Sequence, residues 1–202
     1  MLETLLEAIE PRDRQIGIFD HQEAVGPANR RNKDATLESS SKDPILLTIL
    51  ITDIVDSTKR LAELGDRRWS ELLDEHDEMV VEHVNEFGGR TVSSTGDGFI
   101  NIFAGPTHAI QCASNIRKEA SQLGMEIKAG IHTGECECRR SNIRGLAMHI
   151  AVRILGQALP GQILTSDTVK GITVGSELKF THVGTPDLKG VPGEWPLFEV
   201  CC

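Results

Sequence analysis

The rhythm of apolar and polar positions changes several times along the chain, and each change marks an element. Leu2, Leu5, Leu6 and Ile9 recur at helical spacing until Pro11 ends the run. Gly26-Pro27 and the polar stretch Arg30 to Asp43 then read as linker. Residues 1–43 are therefore expected to form an N-terminal helix with a linker or tail, and 44–202 the folded domain. Ile45 to Thr52 is continuously apolar, as a strand buried on both faces requires. Arg67 to Phe87 carries Leu72, Leu73, Met79, Val80, Val84 and Phe87 at helical spacing, with Asp66 placed as N-cap and Gly88-Gly89 as the stop. Arg90 to Thr95 and Phe99 to Phe103 are short strands joined through Gly96-Asp97-Gly98, a hairpin signal. Pro106 opens a second helix reaching about Leu123, and Glu126 to His132 is the next strand. A polar loop around Arg139 to Arg144 precedes a third helix, Leu146 to Leu155. Further strands are expected around Gln162–Thr165, Leu178–His182 and Leu197–Val200.

That order predicts an α+β fold, a ferredoxin-like βαββαβ core with extra C-terminal strands and helices. A length of 202 residues suits one domain with a tail, and 39% hydrophobic with 25% charged residues is ordinary for a globular protein. The net charge of −9 argues against a general nucleic-acid surface, which needs a basic face. A single mononucleotide stays compatible, because it needs only local positive charge or metal. The most apolar run, Ile45 to Ile51, is too short to span a membrane, and the acidic N-terminus is unlike a signal peptide. Five cysteines, an odd number without an export signal, predict reduced thiols and a cytoplasmic location. Cys136 and Cys138 are expected to point to opposite faces of a strand, a poor zinc pair.

Two aspartates stand out by position. Asp53 ends the most apolar strand, and Asp97 sits at the hairpin tip. A βαββ sheet makes those strands neighbours, so both carboxylates can share hard cations such as Mg²⁺, which prefer oxygen ligands. Helix capping by Asp53 and ordinary turn chemistry at Asp97 explain the same residues without a metal. Ile54 to Thr58 leads from the strand into a helix, where backbone N–H groups and the hydroxyls of Ser57 and Thr58 can cradle phosphate. A simply capped helix start is the alternative.

Six segments occur in order: TDIVDST (52–58), GDGFINIF (96–103), AGIHTGE (129–135), GLAMHIAVRI (145–154), PGQILTS (160–166) and LKGVPGEWPLFEV (188–200). Together they resemble the catalytic domain of class III nucleotide cyclases, the adenylyl and guanylyl cyclases, in the bacterial and mycobacterial style. The resemblance implies that ATP is converted to 3′,5′-cyclic AMP and pyrophosphate with two Mg²⁺ or Mn²⁺ ions, at sites shared across a homodimer. It matches Asp53 and Asp97 to the metal-binding aspartates, and Ile54 to a backbone carbonyl ligand. Arg153 matches the transition-state arginine at the α-phosphate, and Lys189 the lysine on the β- and γ-phosphates. His149 stands where many members carry a ribose-orienting asparagine.

Base choice is where the chain departs from that pattern. Ser93 stands at the usual base-reading lysine, and Asn142 at its usual aspartate partner. Neither the adenylyl nor the guanylyl set is matched. A site without the right donor rejects the wrong base only weakly, so poor discrimination between ATP and GTP is expected. A guanylyl cyclase, or a cyclase-like nucleotide-binding or regulatory module with little turnover, are the other readings. A diguanylate cyclase is disfavoured, because the nearest string to its signature is Gly96-Asp97-Gly98-Phe99.

Overall fold

The computed structural model describes residues 44–139 and 142–201. The N-terminal helix and linker expected over 1–43 lie outside the described residues. The elements run β1 (Ile45–Ile54), α1 (Ser57–Leu64), α2 (Asp66–Glu86), β2 (Arg90–Ser94), β3 (Gly98–Phe103), α3 (Pro106–Gln122), β4 (Ile127–Arg139), β5 (Asn142–Arg144), α4 (Leu146–Leu155), β6 (Ile163–Ser166), α5 (Asp167–Ile172), β7 (Lys179–Gly184) and β8 (Leu197–Cys201).

One sheet holds the strands in the order β2-β3-β1-β4-β6-β8-β7, with β5 paired to β4 outside that path. β1 lies between β3 and β4 and is antiparallel to both. That is the interleaved βαββαβ core, extended on the β4 side by β6, β8 and β7. The apolar run of β1 serves two cores. Leu50 and Ile54 face helices α2 and α3, whereas Leu47, Ile49 and Ile51 face α4. Alternation with a period of two explains why the run had to be apolar throughout.

α4 seats directly on β4 at Gly130. A Cβ there would lie 2.4 Å from the Leu155 backbone nitrogen and 2.8 Å from the Ala151 oxygen. Only glycine permits that approach. A third cluster joins Ile150 and Ile154 of α4 to Leu188, Val191 and Leu197, with Trp195 against it. It fixes the loop between β7 and β8 onto α4.

Four local expectations change. The first helix after β1 is a separate element, α1, which Gly65 at φ 76° divides from α2. Asp66 is therefore the first residue of α2 rather than its cap. β4 runs well past His132, because the polar segment after it pairs with β5 as a hairpin arm. Asp167–Ile172, with no element assigned from sequence, is the short helix α5. Cys136 and Cys138 lie on the same face of β4, since residues two apart on a strand point the same way, and both join the α4-side core.

Candidate active site

Register across three strands builds the site. Asp53 pairs with Gly98 of β3 on one side and with Lys128 of β4 on the other. Its side chain shares parity with Ile49 and Ile51, so it leaves the sheet on the α4 face. Asp53 is only 3% exposed, and its Oδ2 lies 3.3 Å from Lys128 Nζ. Its Oδ1 is buried and has no hydrogen-bond partner among the described residues. Burial pushes the Asp53 carboxyl above its ordinary value, Lys128 opposes that rise, and the Asp97 charge adds to it.

Asp97 is carried to the same place by the hairpin. Its backbone oxygen accepts from Ile54 N at 3.0 Å, and its Oδ2 accepts from Ser57 Oγ at 2.5 Å. Gly98 keeps the strands tight. A Cβ there would come within 2.9 Å of the Thr52 oxygen and 3.6 Å of Asp53 Oδ1. Asp56 holds a left-handed backbone at φ 54°, uncommon outside glycine, and so turns the chain from β1 into α1. A cavity of about 590 Å³ opens here, lined by Asp53, Ile54, Ser57, Thr58 and Lys128 among others.

The donor set suits a hard cation: two carboxylates, one with an orphaned buried oxygen, beside a backbone turn. Among the described residues no group of three or more His, Cys, Asp or Glu side chains is placed to hold a metal. A cation would therefore rely on Asp53, Asp97 and non-side-chain oxygens.

The other predicted residues are not in this cavity. His149 and Arg153 are one turn apart on α4, both half-buried on a helix whose remaining inner positions are buried. Lys189 is exposed on the loop that Leu188 and Val191 pack against α4. The fold thus brings these three into one neighbourhood, separate from the carboxylates. No side-chain hydrogen bond or ion pair joins any of them to another described residue. Ser93 is on the edge strand β2, with its hydroxyl donating to the Ser94 oxygen at 3.4 Å. Asn142 opens β5 opposite Arg139.

Lys128 was missed in the sequence. Its signal is a lysine set among Ile127, Ala129 and Ile131 in the apolar first part of β4. The thiols stay out of the chemistry. Burial, with Glu86 nearby, pushes Cys112 up to about 12, and burial raises Cys136 to about 11, so neither supplies a thiolate near neutral pH.

The architecture has close counterparts among solved structures. The adenylyl cyclase CyaB from P. aeruginosa superposes with a TM-score of 0.73 at 20% identity, covering 79% of this chain and 95% of that one. The fold is that of the class III nucleotide cyclase domain. A guanylate cyclase domain from Catenaria anguillulae, solved with GTP, has the same fold at a TM-score of 0.69 and 16% identity, covering 77% of this chain and 96% of that one. No family model matches the chain. Curated relatives include an adenylate cyclase of Glutamicibacter nicotianae, 23% identical over 139 residues, which covers 68% of this chain and 34% of the relative. A serine/threonine-protein kinase of Myxococcus xanthus is 22% identical over 134 residues, covering 62% of this chain and 16% of the kinase. The chain thus spans about a third or less of these two relatives. Among the described residues no helix is long and apolar enough to cross a membrane.

Proposed function

We propose that the chain is a purine nucleotide cyclase, converting ATP to 3′,5′-cyclic AMP and pyrophosphate with weak discrimination against GTP. The observation that carries this reading is the pairing of Asp53 and Asp97 at the β1–β3 edge, one buried carboxylate oxygen left without a partner, within a cyclase fold.

Asp53, Asp97 and the Ile54 carbonyl would hold two Mg²⁺ or Mn²⁺ ions. When bound, such ions lower the pKa of the ribose 3′-hydroxyl and offset charge on the departing pyrophosphate. The chain's own residues do the rest. Ser57 fixes one Asp97 oxygen and so sets the direction of the other. The first turn of α1 has no side-chain cap, which leaves its N–H groups, with the Thr58 hydroxyl, to receive phosphate oxygens. Lys128 opposes the upward push that burial gives the Asp53 carboxyl and adds positive charge to the cavity. In the reaction the 3′-oxygen bonds to the α-phosphorus, the bond to the β-phosphate oxygen breaks, and the hydroxyl proton leaves to solvent. Arg153 stabilises charge on the α-phosphoryl oxygens, Lys189 holds the β- and γ-phosphates, and His149 orients the ribose.

Those last three residues lie outside the carboxylate cavity of their own chain. A second copy supplying them, in a homodimer with shared sites, completes each site. Ser93 and Asn142 would then face the base without a strong donor, which is the source of weak base choice.

A second reading, a nucleotide-binding module with little turnover, draws on Ser93. Its hydroxyl is turned toward its own strand, to the Ser94 oxygen. Incubating the purified chain with ATP or GTP and Mg²⁺ or Mn²⁺, then separating products, decides between them. Cyclic AMP, with a smaller yield of cyclic GMP, is expected. Bound nucleotide with no cyclic product in any combination supports the module instead, and cyclic GMP alone makes the chain a guanylyl cyclase.

A further inference from the structure

A second cavity, of about 820 Å³, lies on the other side of α1 from the carboxylate site. Arg60 reaches it from α1, and Ser114, Asn115, Arg117, Lys118 and Ser121 line it from α3. Three cations therefore converge in a chain whose acidic residues outnumber its basic ones by 30 to 21. Glu126 is the carboxylate that faces them. Among the described residues, none of the three cations forms an ion pair. Clustered like charges repel, so the arrangement gains from an anion that relieves the repulsion.

The geometry is also prepared for one. Arg117 Nη1 donates to the Gly161 oxygen at 3.3 Å, which holds the half-buried guanidinium in place with other N–H groups still available. Hydroxyl and amide groups from Ser121 and Asn115 border the same space. Two guanidiniums and an ammonium carry three positive charges, which a doubly charged phosphate offsets more fully than a singly charged carboxylate. The volume is within the range that holds a nucleotide-sized ligand.

We propose that this cavity is a second binding site, separate from the carboxylate site, for a phosphate dianion carried by a small metabolite. The site does not depend on the turnover reading. Its position gives it a route to the first site. Arg60 and Ser57 share the eight-residue helix α1, and Glu126, at the cavity wall, accepts through its backbone oxygen from Val55 N at 2.8 Å. A ligand that draws on Arg60 thereby acts on the helix whose Ser57 bonds Asp97.

The test is a titration of the full chain followed by backbone-amide NMR, with EDTA present so that no divalent cation bridges phosphate to Asp53 and Asp97. Inorganic phosphate is one arm and adenosine 5′-monophosphate the other. Saturable shifts centred on Arg60 and on residues 114–124 are expected in both. Tighter binding of the nucleotide assigns a phosphorylated metabolite, and equal binding assigns free phosphate. Lys118→Glu, at an exposed position, should weaken binding by about tenfold, the scale of losing one charge-assisted contact. Glu126→Gln should tighten it. Absence of saturable shifts in either arm, shifts confined to the surroundings of Asp53 and Asp97, or an affinity unchanged by Lys118→Glu would each overturn the proposal.

Discussion

The two sets of candidate site residues in this chain are built in opposite ways. Asp53 and Asp97 are wired into their surroundings: Asp53 is buried against Lys128, and Asp97 is held by Ser57 and by its own backbone bond to Ile54. His149, Arg153 and Lys189 are held only through their backbones, on α4 and the loop packed to it, and their side chains have no described hydrogen-bond or ion-pair partner. A buried carboxylate must be satisfied within the fold that buries it, or folding loses several kcal/mol, on the order of what an uncompensated charge costs. A half-exposed cation carries no such obligation. The acidic half is therefore satisfied within the fold except at the buried Asp53 Oδ1, whereas the side chains of the other half have no described hydrogen-bond or ion-pair partner.

Changes to the acidic half should have the largest effects on turnover. Asp53→Asn keeps the shape but removes the charge. It should lower cyclase activity by on the order of 10³-fold, the scale of losing a preorganised charge-stabilising group, with the circular dichroism spectrum preserved. The protein would also lose the ion pair with Lys128. A small activity loss would mean that the buried carboxylate is structural.

Acid should act on the basic half first. His132 is buried on β4, with Nδ1 2.8 Å from Ser166 Oγ and its ring edge-on to Trp195 of the Lys189 loop. Burial holds its pKa down, to about 4 from an ordinary 6.5. Between those values the unfolded chain binds a proton that the native protein refuses. Stability is thus unaffected above about pH 6.5, falls by about 3 kcal/mol on acidification to about pH 4, and is flat below that for this group. Urea unfolding at pH 7, 5.5 and 4 measures the slope. His132→Gln, which cannot charge, should remove that part of it.

Arg153→Ala should cost about a hundredfold in kcat with little change in KM, since its partner is the charge that develops in the transition state. Its melting temperature should match the parent's, because no described residue is paired with it. A marked drop in melting temperature would show that Arg153 is a structural cation and would break the comparison. Ser57→Ala should have the smallest effect, about tenfold in activity, by freeing the Asp97 carboxylate it positions. The loss should be partly restored by Ser57→Thr.

Much of this was legible in the residues. The run Ile45 to Thr52 announced a central strand because both faces of β1 are packed. The aspartate at its end and the one at the hairpin tip meet because topology makes β1 and β3 neighbours. What stayed hidden depends on register and on long-range pairing. Lys128 becomes a partner of Asp53 only when β4 is aligned to β1, and nothing local in the sequence sets that alignment. β4 was foreseen too short because its polar second half is stabilised by β5 rather than by its own apolar pattern. α1 has no bounds of its own in the sequence reading, which only leads Ile54 to Thr58 into a helix, because the break before α2 is a single backbone angle at Gly65. The basic cavity beside α1 draws on two distant helices, and no motif joins them.

The central claim is that one complete site needs the acidic half of one chain and the basic half of another. Mixing inactive Asp53→Ala and Arg153→Ala chains in equal amounts, after dissociation and reassociation, tests it most directly. Statistical pairing makes half of the dimers mixed, each with one intact site of two, so about a quarter of the parental activity should return. Activity no greater than the sum of the two variants alone would contradict the shared site.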